Sequence, residues 1–394
     1  MLVLVAPGQG AQAPGFLTPW LDLPGFEDRL NWLSACAGID LVHYGTKADA
    51  ETIRDTSIAQ PLLVASAMLS ALALFPHPAD AFRVVGAAAG HSVGEIAAAA
   101  GAGVISAEQA MVFVRERGKA MAGAAATMPT SMIAVLGDEE TVLKKIAEHE
   151  LTPANMNGAG QIVAAGTIEQ LAAFQNDPPN GARLRQLSVA GAFHTHHMAP
   201  AVATLERFAR AVSTHDARLR LISNADGGVV HDGREVLRRL VAQVSTPVRW
   251  DLCMRTMDEL GTTGVIEVPP AGTLTGLVKR ALPGVDTLAM KTPDDLDAAH
   301  AFVERHGVAS PLGSAPTWRL VVAPGSGTVR IAAGVTVGRV LEPGAVIGSL
   351  AARRDETPLV AVHGGTIVEW LVEDGDPVSP GQPLVRLHPE GVHA

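Results

Sequence analysis

The pentapeptide Gly90-His91-Ser92-Val93-Gly94 constrains this chain more than any other stretch. An apolar run over 82–89, suited to a central parallel strand, precedes it, and the helix formers of 96–100 follow it. A G-x-S-x-G segment in that setting predicts strand, sharp turn and helix. Glycines stand where strand and helix approach closely, and the serine hydroxyl is exposed at a helix N-terminus. The helix dipole and the N–H of Val93 would favour an anionic tetrahedral oxygen there. The same pattern also occurs in purely structural turns, so the catalytic reading rests on the flanking strand and helix.

The rest of the chain is organised around that turn. Leu2–Ala6 is a continuous apolar run ending in Pro7-Gly8-Gln9-Gly10, which predicts a buried strand delivering a Gly-rich turn with bare backbone N–H groups. Pro61 stands where a buried helix over 62–75 would begin. Between 128 and 192 the elements shorten: strand 132–136, helix 139–149, strands 152–156 and 161–165, helix 169–174 and strand 184–189. This βαββαβ order predicts a ferredoxin-like insert. A helix over 200–212 and strands near 219–223, 265–268 and 287–289 return to the main sheet, and a helix over 294–305 follows.

The expected fold class is therefore α/β: a parallel-sheet body in two parts, 1–127 and 193–306, around the 128–192 subdomain. The Pro- and small-residue-rich stretch 307–317 reads as a linker. A second domain over 318–389 has Val-rich strands punctuated by Gly and Pro. Gly327-Thr328-Val329 recurs as Gly365-Thr366-Ile367, and Gly338 with Pro343-Gly344 recurs as Gly375 with Pro380-Gly381, offsets of 38 and 37. That duplication predicts a small β-barrel or sandwich of two similar halves.

Composition narrows the function classes. With 394 residues the chain has room for two or three domains. Its 40 Gly and 26 Pro make up about a sixth of it, short of the roughly 25–30% that marks low complexity. The net charge of −10 leaves no basic excess for nucleic acid or an anionic membrane. Cys36 and Cys253 lie far apart without ligand spacing, which points to core thiols in a reducing cytoplasm rather than a disulfide or zinc site. No signal peptide or membrane span is expected from the short apolar start or from the interrupted stretch 84–105.

A nucleophilic serine needs a base, and the chain has 14 histidines. His194, in Ala192-Phe193-His194-Thr195-His196-His197, stands where an apolar strand should give way to a loop, with His196 and His197 as rival bases or solvated loop residues. No Cys, Asp or Glu stands beside this cluster at ligand spacing, so no metal is expected.

Five segments, in this order, carry a resemblance: Pro7-Gly8-Gln9-Gly10-Ala11-Gln12, Gly90-His91-Ser92-Val93-Gly94-Glu95, Arg115-Glu116-Arg117-Gly118-Lys119-Ala120-Met121, Asn155-Met156-Asn157 and Ala192-Phe193-His194. Together with Thr273-Leu274-Thr275-Gly276-Leu277 they resemble the malonyl-CoA:acyl carrier protein transacylase family. That family's fold is an α/β-hydrolase-like body with a ferredoxin-like subdomain.

The resemblance implies that Ser92 accepts malonyl from coenzyme A, with His194 as general base and later acid, and that the acyl group passes to a phosphopantetheine thiol. It makes the backbone N–H groups of Gln9 and Val93 the oxyanion hole and Arg117 the clamp for the free malonyl carboxylate. The alternative for Arg117 is an exposed helix arginine, although a buried guanidinium would itself call for an anion. Phe193 and Val93 resemble the malonyl-selecting variants, which leave little room for a branching methyl. Asn155 and Asn157 match asparagines near the pocket, although loop Asn is also a common turn former.

Two positions depart from the family pattern: Arg249, where Gln is frequent, and Pro269-Pro270-Ala271, which replaces a Gly-Pro-Gly loop. No acidic third member of a triad stands out between Ser92 and His194, so the family resemblance implies a Ser–His dyad oriented by backbone carbonyls. Malonyl-CoA would be the substrate, with no covalently bound cofactor. Docking an acidic carrier protein would need a positive rim, for which Lys279-Arg280 and Arg183/Arg185 are candidates.

The last domain resembles a biotinyl/lipoyl carrier domain, most clearly from Gly365 to Val378 and at Gly381-Gln382-Pro383-Leu384. Such domains carry the cofactor on a lysine at a hairpin tip. Here the tip falls near Ala352-Arg353-Arg354-Asp355-Glu356, and the last lysine of the chain is Lys291, so neither biotin nor lipoate can be attached. The domain would then dock the transferase near a carrier protein, synthase or carboxylase, or be a degenerate fusion that merely folds. For the whole chain, a thioesterase using the same Ser–His pair and a non-catalytic assembly subunit are the alternatives.

Overall fold

The computed structural model describes residues 1–189, 191–308, 319–352 and 355–388, and the chain divides into two units, 1–313 and 314–394. The first unit opens with strand β1 (Leu2–Ala6), helices α1 (Phe26–Ala37), α2 (Leu41–Thr46), α3 (Thr56–Leu74) and α4 (Pro78–Val84), strand β2 (Val85–Gly90), and helices α5 (Gly94–Gly101) and α6 (Ala107–Ala125). It then adds β3 (Thr130–Leu136), α7 (Glu139–Glu148), β4 (Thr152–Met156), β5 (Gln161–Thr167), α8 (Ile168–Asn176) and β6 (Arg183–Gln186). After these come α9 (Ala199–Ala209), β7 (Arg220–Ile222), β8 (Val229–Val230), α10 (Gly233–Ala242), β9 (Val248–Arg249), α11 (Trp250–Glu259), β10 (Gly264–Glu267), α12 (Thr273–Ala281), β11 (Asp286–Ala289) and α13 (Leu296–His306).

The unbroken apolar character of β1 follows from its place inside a six-stranded sheet ordered β11-β10-β1-β2-β7-β8. Leu2 and Ala6 pack into one apolar cluster, and Val3 and Val5 into another on the opposite face. A strand covered on both sides needs no polar face. All pairings in this sheet are parallel except β7 with β8. The shorter elements form a five-stranded sheet ordered β6-β3-β5-β4-β9, in which only β4 and β9 run parallel.

Three expected boundaries are corrected. The helix expected to begin at Pro61 begins at Thr56, because the Asp55 carboxylate accepts the Ser57 N–H at 2.7 Å and caps it there; Pro61 lies inside the helix. The strand expected over 82–89 begins at Val85. Residues up to Val84 continue α4, whose start is capped by His77 Nδ1 accepting from Ala79 N. The strand expected to run to 189 ends at Gln186. Helix α3 is apolar and long enough to cross a membrane by composition, but two thirds of its most apolar window is buried inside the protein. It is a core helix.

The second unit is all-β: β12 (Arg319–Val322), β13 (Gly327–Ile331), β14 (Val340–Leu341), β15 (Ala345–Ala351), β16 (Glu356–Ala361), β17 (Gly365–Trp370), β18 (Pro377–Val378) and β19 (Pro383–His388). They make two four-stranded sheets, β12-β19-β17-β14 and β16-β15-β13-β18. The repeated Gly-Thr-Val and Gly-Thr-Ile segments open β13 and β17, and each pairs with a short strand from the other half: Gly327 with Val378, and Gly365 with Leu341. Val329, Ile347, Ile367, Leu384 and Leu387 fill the core of this unit. At the tip of the β15–β16 hairpin, Arg353 and Arg354 lie outside the described residues, as does most of the linker expected over 307–317.

Candidate active site

Strands β1 and β2 are neighbours with Ala6 opposite Gly90, so the turns that follow them lie side by side. His91 N donates to Ala6 O at 3.0 Å. A Cβ on Gly90 would stand 2.0 Å from Gly94 C, and one on Gly94 would stand 2.3 Å from Ala6 O. Only glycine lets the strand, the turn and α5 come this close. Ser92 takes a left-handed φ of 53°, a conformation that costs a non-glycine residue about 1–2 kcal/mol. Asn224 braces it: Oδ1 accepts from Ser92 N at 2.7 Å while Nδ2 donates to Gly90 O at 2.8 Å.

His194 also has a left-handed φ, 62°, and its backbone N–H donates to Val244 O at 3.0 Å. Its Nδ1 lies 2.8 Å from the Gln243 carbonyl oxygen, and its Nε2 lies 2.7 Å from Ser92 Oγ. A carbonyl can only accept, so Nδ1 carries the proton and the Nε2 lone pair faces the serine hydroxyl. Burial, and then the nearby Arg117 charge, push the imidazole pKa down to about 3, which keeps the ring neutral. His196 and His197 instead form a turn over 196–198, with their rings 4.1 Å apart.

Arg117 reaches the same hydroxyl from α6. The neighbouring Gly118 lets α6 lie against the start of α3, where a Cβ would stand 2.9 Å from Thr56 O. The fully buried guanidinium donates from Nη1 to Gln60 Oε1 and from Nη2 to Gln243 Oε1, both at 2.8 Å, and from Nη2 to Ser92 Oγ at 3.3 Å. Its Nε has no acceptor among the described residues. Burial lowers its pKa to about 9, with Glu95 opposing the shift. The group stays cationic at neutral pH, and a buried cation is stabilised by any anion that reaches it.

Among the described residues, the N–H groups of Gln9 and Val93 have no hydrogen-bond acceptor. Gly8 contacts the serine turn closely, since a Cβ there would stand 2.9 Å from His91 O. The Gln9 side chain donates to Arg54 O and Thr56 Oγ1. Asn157 Oδ1 lies 3.0 Å from His91 Nε2. Asn155 makes no such link: its Oδ1 is buried without a partner among the described residues. Phe193 is buried in the main core directly before His194.

The two departures from the family pattern resolve locally. Arg249 pairs with Asp251 at 2.7 and 3.0 Å, while the His194 loop is held by Gln243 and Val244. The loop 269–272 is tied down by the buried Glu267 carboxylate, which accepts from Gly272 N, Leu274 N, Thr275 N and Thr275 Oγ1 at 2.8–3.0 Å. Ser66 Oγ also donates to Pro269 O.

Sequence reasoning missed Gln60, Glu95, Asn224 and Gln243. The available signal was an isolated polar side chain in an apolar stretch: Gln60 precedes Pro61-Leu62-Leu63, and Glu95 opens an Ala-rich helix. A cleft of about 440 Å³ is lined by Glu95, Gln243, Arg239 and Arg249 among others, and not by Ser92, His194 or Arg117.

This arrangement suits acyl transfer: a hydroxyl facing a neutral imidazole, beside a buried cation. Comparison with known proteins agrees. The family described as "Acyl transferase domain" matches residues 3–310. The malonyl CoA-acyl carrier protein transacylase of Mycobacterium tuberculosis is 49% identical over 303 residues, covering 75% of this chain and 98% of that protein. The crystal structure of MCAT from Mycobacterium tuberculosis superimposes with a TM-score of 0.74 at 48% identity, covering 76% of this chain and 99% of that one. A malonyl-transacylase solved with a type II PKS acyl-carrier protein superimposes with a TM-score of 0.72 at 28% identity, covering 76% and 99%.

Proposed function

The chain belongs to the acyl transferase domain family, and from that premise we propose that it moves a malonyl group from malonyl-CoA to the phosphopantetheine thiol of an acyl carrier protein through a malonyl ester on Ser92. Ser92 Oγ attacks the thioester carbonyl as its proton passes to His194 Nε2. The tetrahedral oxyanion is held by the N–H groups of Gln9 and Val93, each worth roughly 2.7–4 kcal/mol of barrier in comparable sites. Collapse expels the coenzyme A thiolate, which takes the proton from His194. In the second half the carrier thiol gives its proton to His194, attacks the ester and releases Ser92. No cofactor takes part.

Arg117 meets the free malonyl carboxylate with parallel N–H···O bonds, so a neutral acyl chain leaves its charge uncompensated. Phe193 and Val93 restrict the space beside the acyl group, and Asn155 and Asn157 line the approach. The observation that carries the reading is the convergence on Ser92 Oγ of His194 Nε2 at 2.7 Å and Arg117 Nη2 at 3.3 Å. Its test is brief exposure to malonyl-CoA followed by intact-mass measurement and peptide mapping. One malonyl group on the Ser92 peptide is expected, and an unmodified Ser92 would refute the reading. A thioesterase would release coenzyme A rapidly without carrier protein.

Residues 128–192 are read as a ferredoxin-like subdomain between the two parts of the body, 1–127 and 193–306. The β6-β3-β5-β4 order supports this. The domain over 318–389 is read as a biotinyl/lipoyl-like module without its attachment lysine, supported by the reciprocal pairing of its two halves. The protein works in the cytoplasm, where malonyl-CoA and carrier proteins meet.

A further inference from the structure

The malonyl clamp depends on which way one amide points. Gln243 Oε1 accepts from Arg117 Nη2 at 2.8 Å. Its Nε2 donates to Glu95 Oε2 at 2.6 Å and to Ser92 O at 3.1 Å, with Asn224 Oδ1 at 3.3 Å. An ionised carboxylate only accepts and a guanidinium only donates, so Glu95 and Arg117 demand opposite ends of the same amide. Turning it over would set NH₂ against the guanidinium and oxygen against the carboxylate. Glu95 is 3% exposed and also accepts from Asn224 N at 3.3 Å. Asn224 needs no such help, because its sense is set by the Gly90 carbonyl and the Ser92 N–H.

We infer that Glu95 is a positioning residue for acyl selection: its carboxylate, a closer acceptor than the Ser92 carbonyl, fixes the sense of the Gln243 amide, and Gln243 thereby holds Arg117 aimed at the acyl site. Glu95 does not touch Ser92 Oγ or His194, and His194 is oriented by the backbone carbonyl of Gln243 rather than its side chain. Selection for a charged acyl group therefore rests on the Gln243 side chain, and the orientation of His194 on the Gln243 backbone. Burial pushes the Glu95 carboxyl up to about 7, so the ionised form dominates at pH 8.

The inference rests on the malonyltransferase reading, and one experiment distinguishes failure of either. Wild type, Glu95→Gln, Glu95→Asp, Gln243→Ala and the Glu95→Gln/Gln243→Ala double variant are assayed at pH 8 with malonyl-CoA and acetyl-CoA. A serine-reactive fluorophosphonate reports on the Ser92–His194 pair. If wild type forms no malonyl ester, the functional reading itself fails. If it does, Glu95→Gln should raise KM for malonyl-CoA and lower the malonyl-to-acetyl ratio of kcat/KM, each by about tenfold. Fluorophosphonate labelling should stay within about threefold of wild type, with partial rescue by Glu95→Asp. In the Gln243→Ala background, Glu95→Gln should change the ratio by less than about twofold. An unchanged ratio, or labelling that falls in step with malonyl transfer, overturns the inference. Should Glu95→Gln not fold, Gln243→Ala decides alone: equal losses for both acyl groups refute it, and selective loss for malonyl supports it.

Discussion

Ser92 Oγ and His194 Nε2 stand 2.7 Å apart across 102 positions of sequence, and both residues hold a left-handed backbone conformation. Each strained turn is braced by side-chain or backbone hydrogen bonds from residues 224–244, so both backbone conformations and the hydroxyl–imidazole contact are set by the same short region. That contact is thus held by elements remote in the chain.

Removing the cation should change which acyl group is accepted. Arg117→Ala is expected to lower kcat/KM for malonyl-CoA by about two orders of magnitude, the scale of a lost charge-assisted pair, and to improve acetyl handling. Competition between the two thioesters measures this, and an undiminished malonyl preference would defeat the clamp.

Gly118→Ala introduces a methyl 2.9 Å from Thr56 O and 3.1 Å from Ser57 Cα, both backbone atoms. The helices α3 and α6 must then separate, at a cost of about 1–3 kcal/mol, and Arg117 moves away from Gln60. Denaturant unfolding should show the loss, with a raised KM for malonyl-CoA alongside it. Wild-type values for both would show that the close approach is not required.

The depressed His194 pKa makes a stability prediction with a definite sign. Between pH 6.5 and about 3 the unfolded chain binds a proton at His194 that the folded chain does not, so stability falls as the pH drops through that window. His194→Ala lacks this loss. From pH 8 to pH 5 the stability difference should move by about 2 kcal/mol in favour of the variant, as read from urea unfolding at each pH. A difference independent of pH would mean that the folded imidazole titrates normally.

The second unit can be removed after Ala315, within the sequence between the two sets of elements. Malonyl-CoA loading of Ser92 should be unchanged by the deletion, and the full-length chain should carry neither biotin nor lipoate by intact mass. Transfer to carrier protein reports on docking: a sharp fall there with loading intact identifies the unit as a docking module, and loss of loading itself contradicts its independence.

The serine turn was legible because glycine spacing, an apolar run and a helix former coincide there, and β1 was legible because a doubly covered strand is apolar throughout. Helix α3 was misread at its start because Pro61 is a strong helix-start signal, whereas Asp55 supplies the cap that decides the boundary. Of the amide and carboxylate groups behind the site, Gln60 and Glu95 left only the trace of a polar side chain in an apolar stretch, and their roles were not legible. Gln60, Asn224 and Gln243 matter through one orientation each, which spacing along the chain does not encode. Arg249 departs from the family pattern, but its side chain pairs with Asp251, and the His194 loop is held six residues earlier, by Gln243.

The most direct measurement is mass mapping of the acyl-enzyme. Wild type and Ser92→Ala are exposed briefly to malonyl-CoA, treated in parallel with phosphopantetheinylated or unmodified carrier protein, and only then digested and mapped. The account predicts a malonyl ester on the Ser92 peptide that the thiol-bearing carrier clears and the unmodified carrier does not, with none on Ser92→Ala. A malonyl group elsewhere, an ester lost equally fast to water, or turnover that survives Ser92→Ala would contradict it.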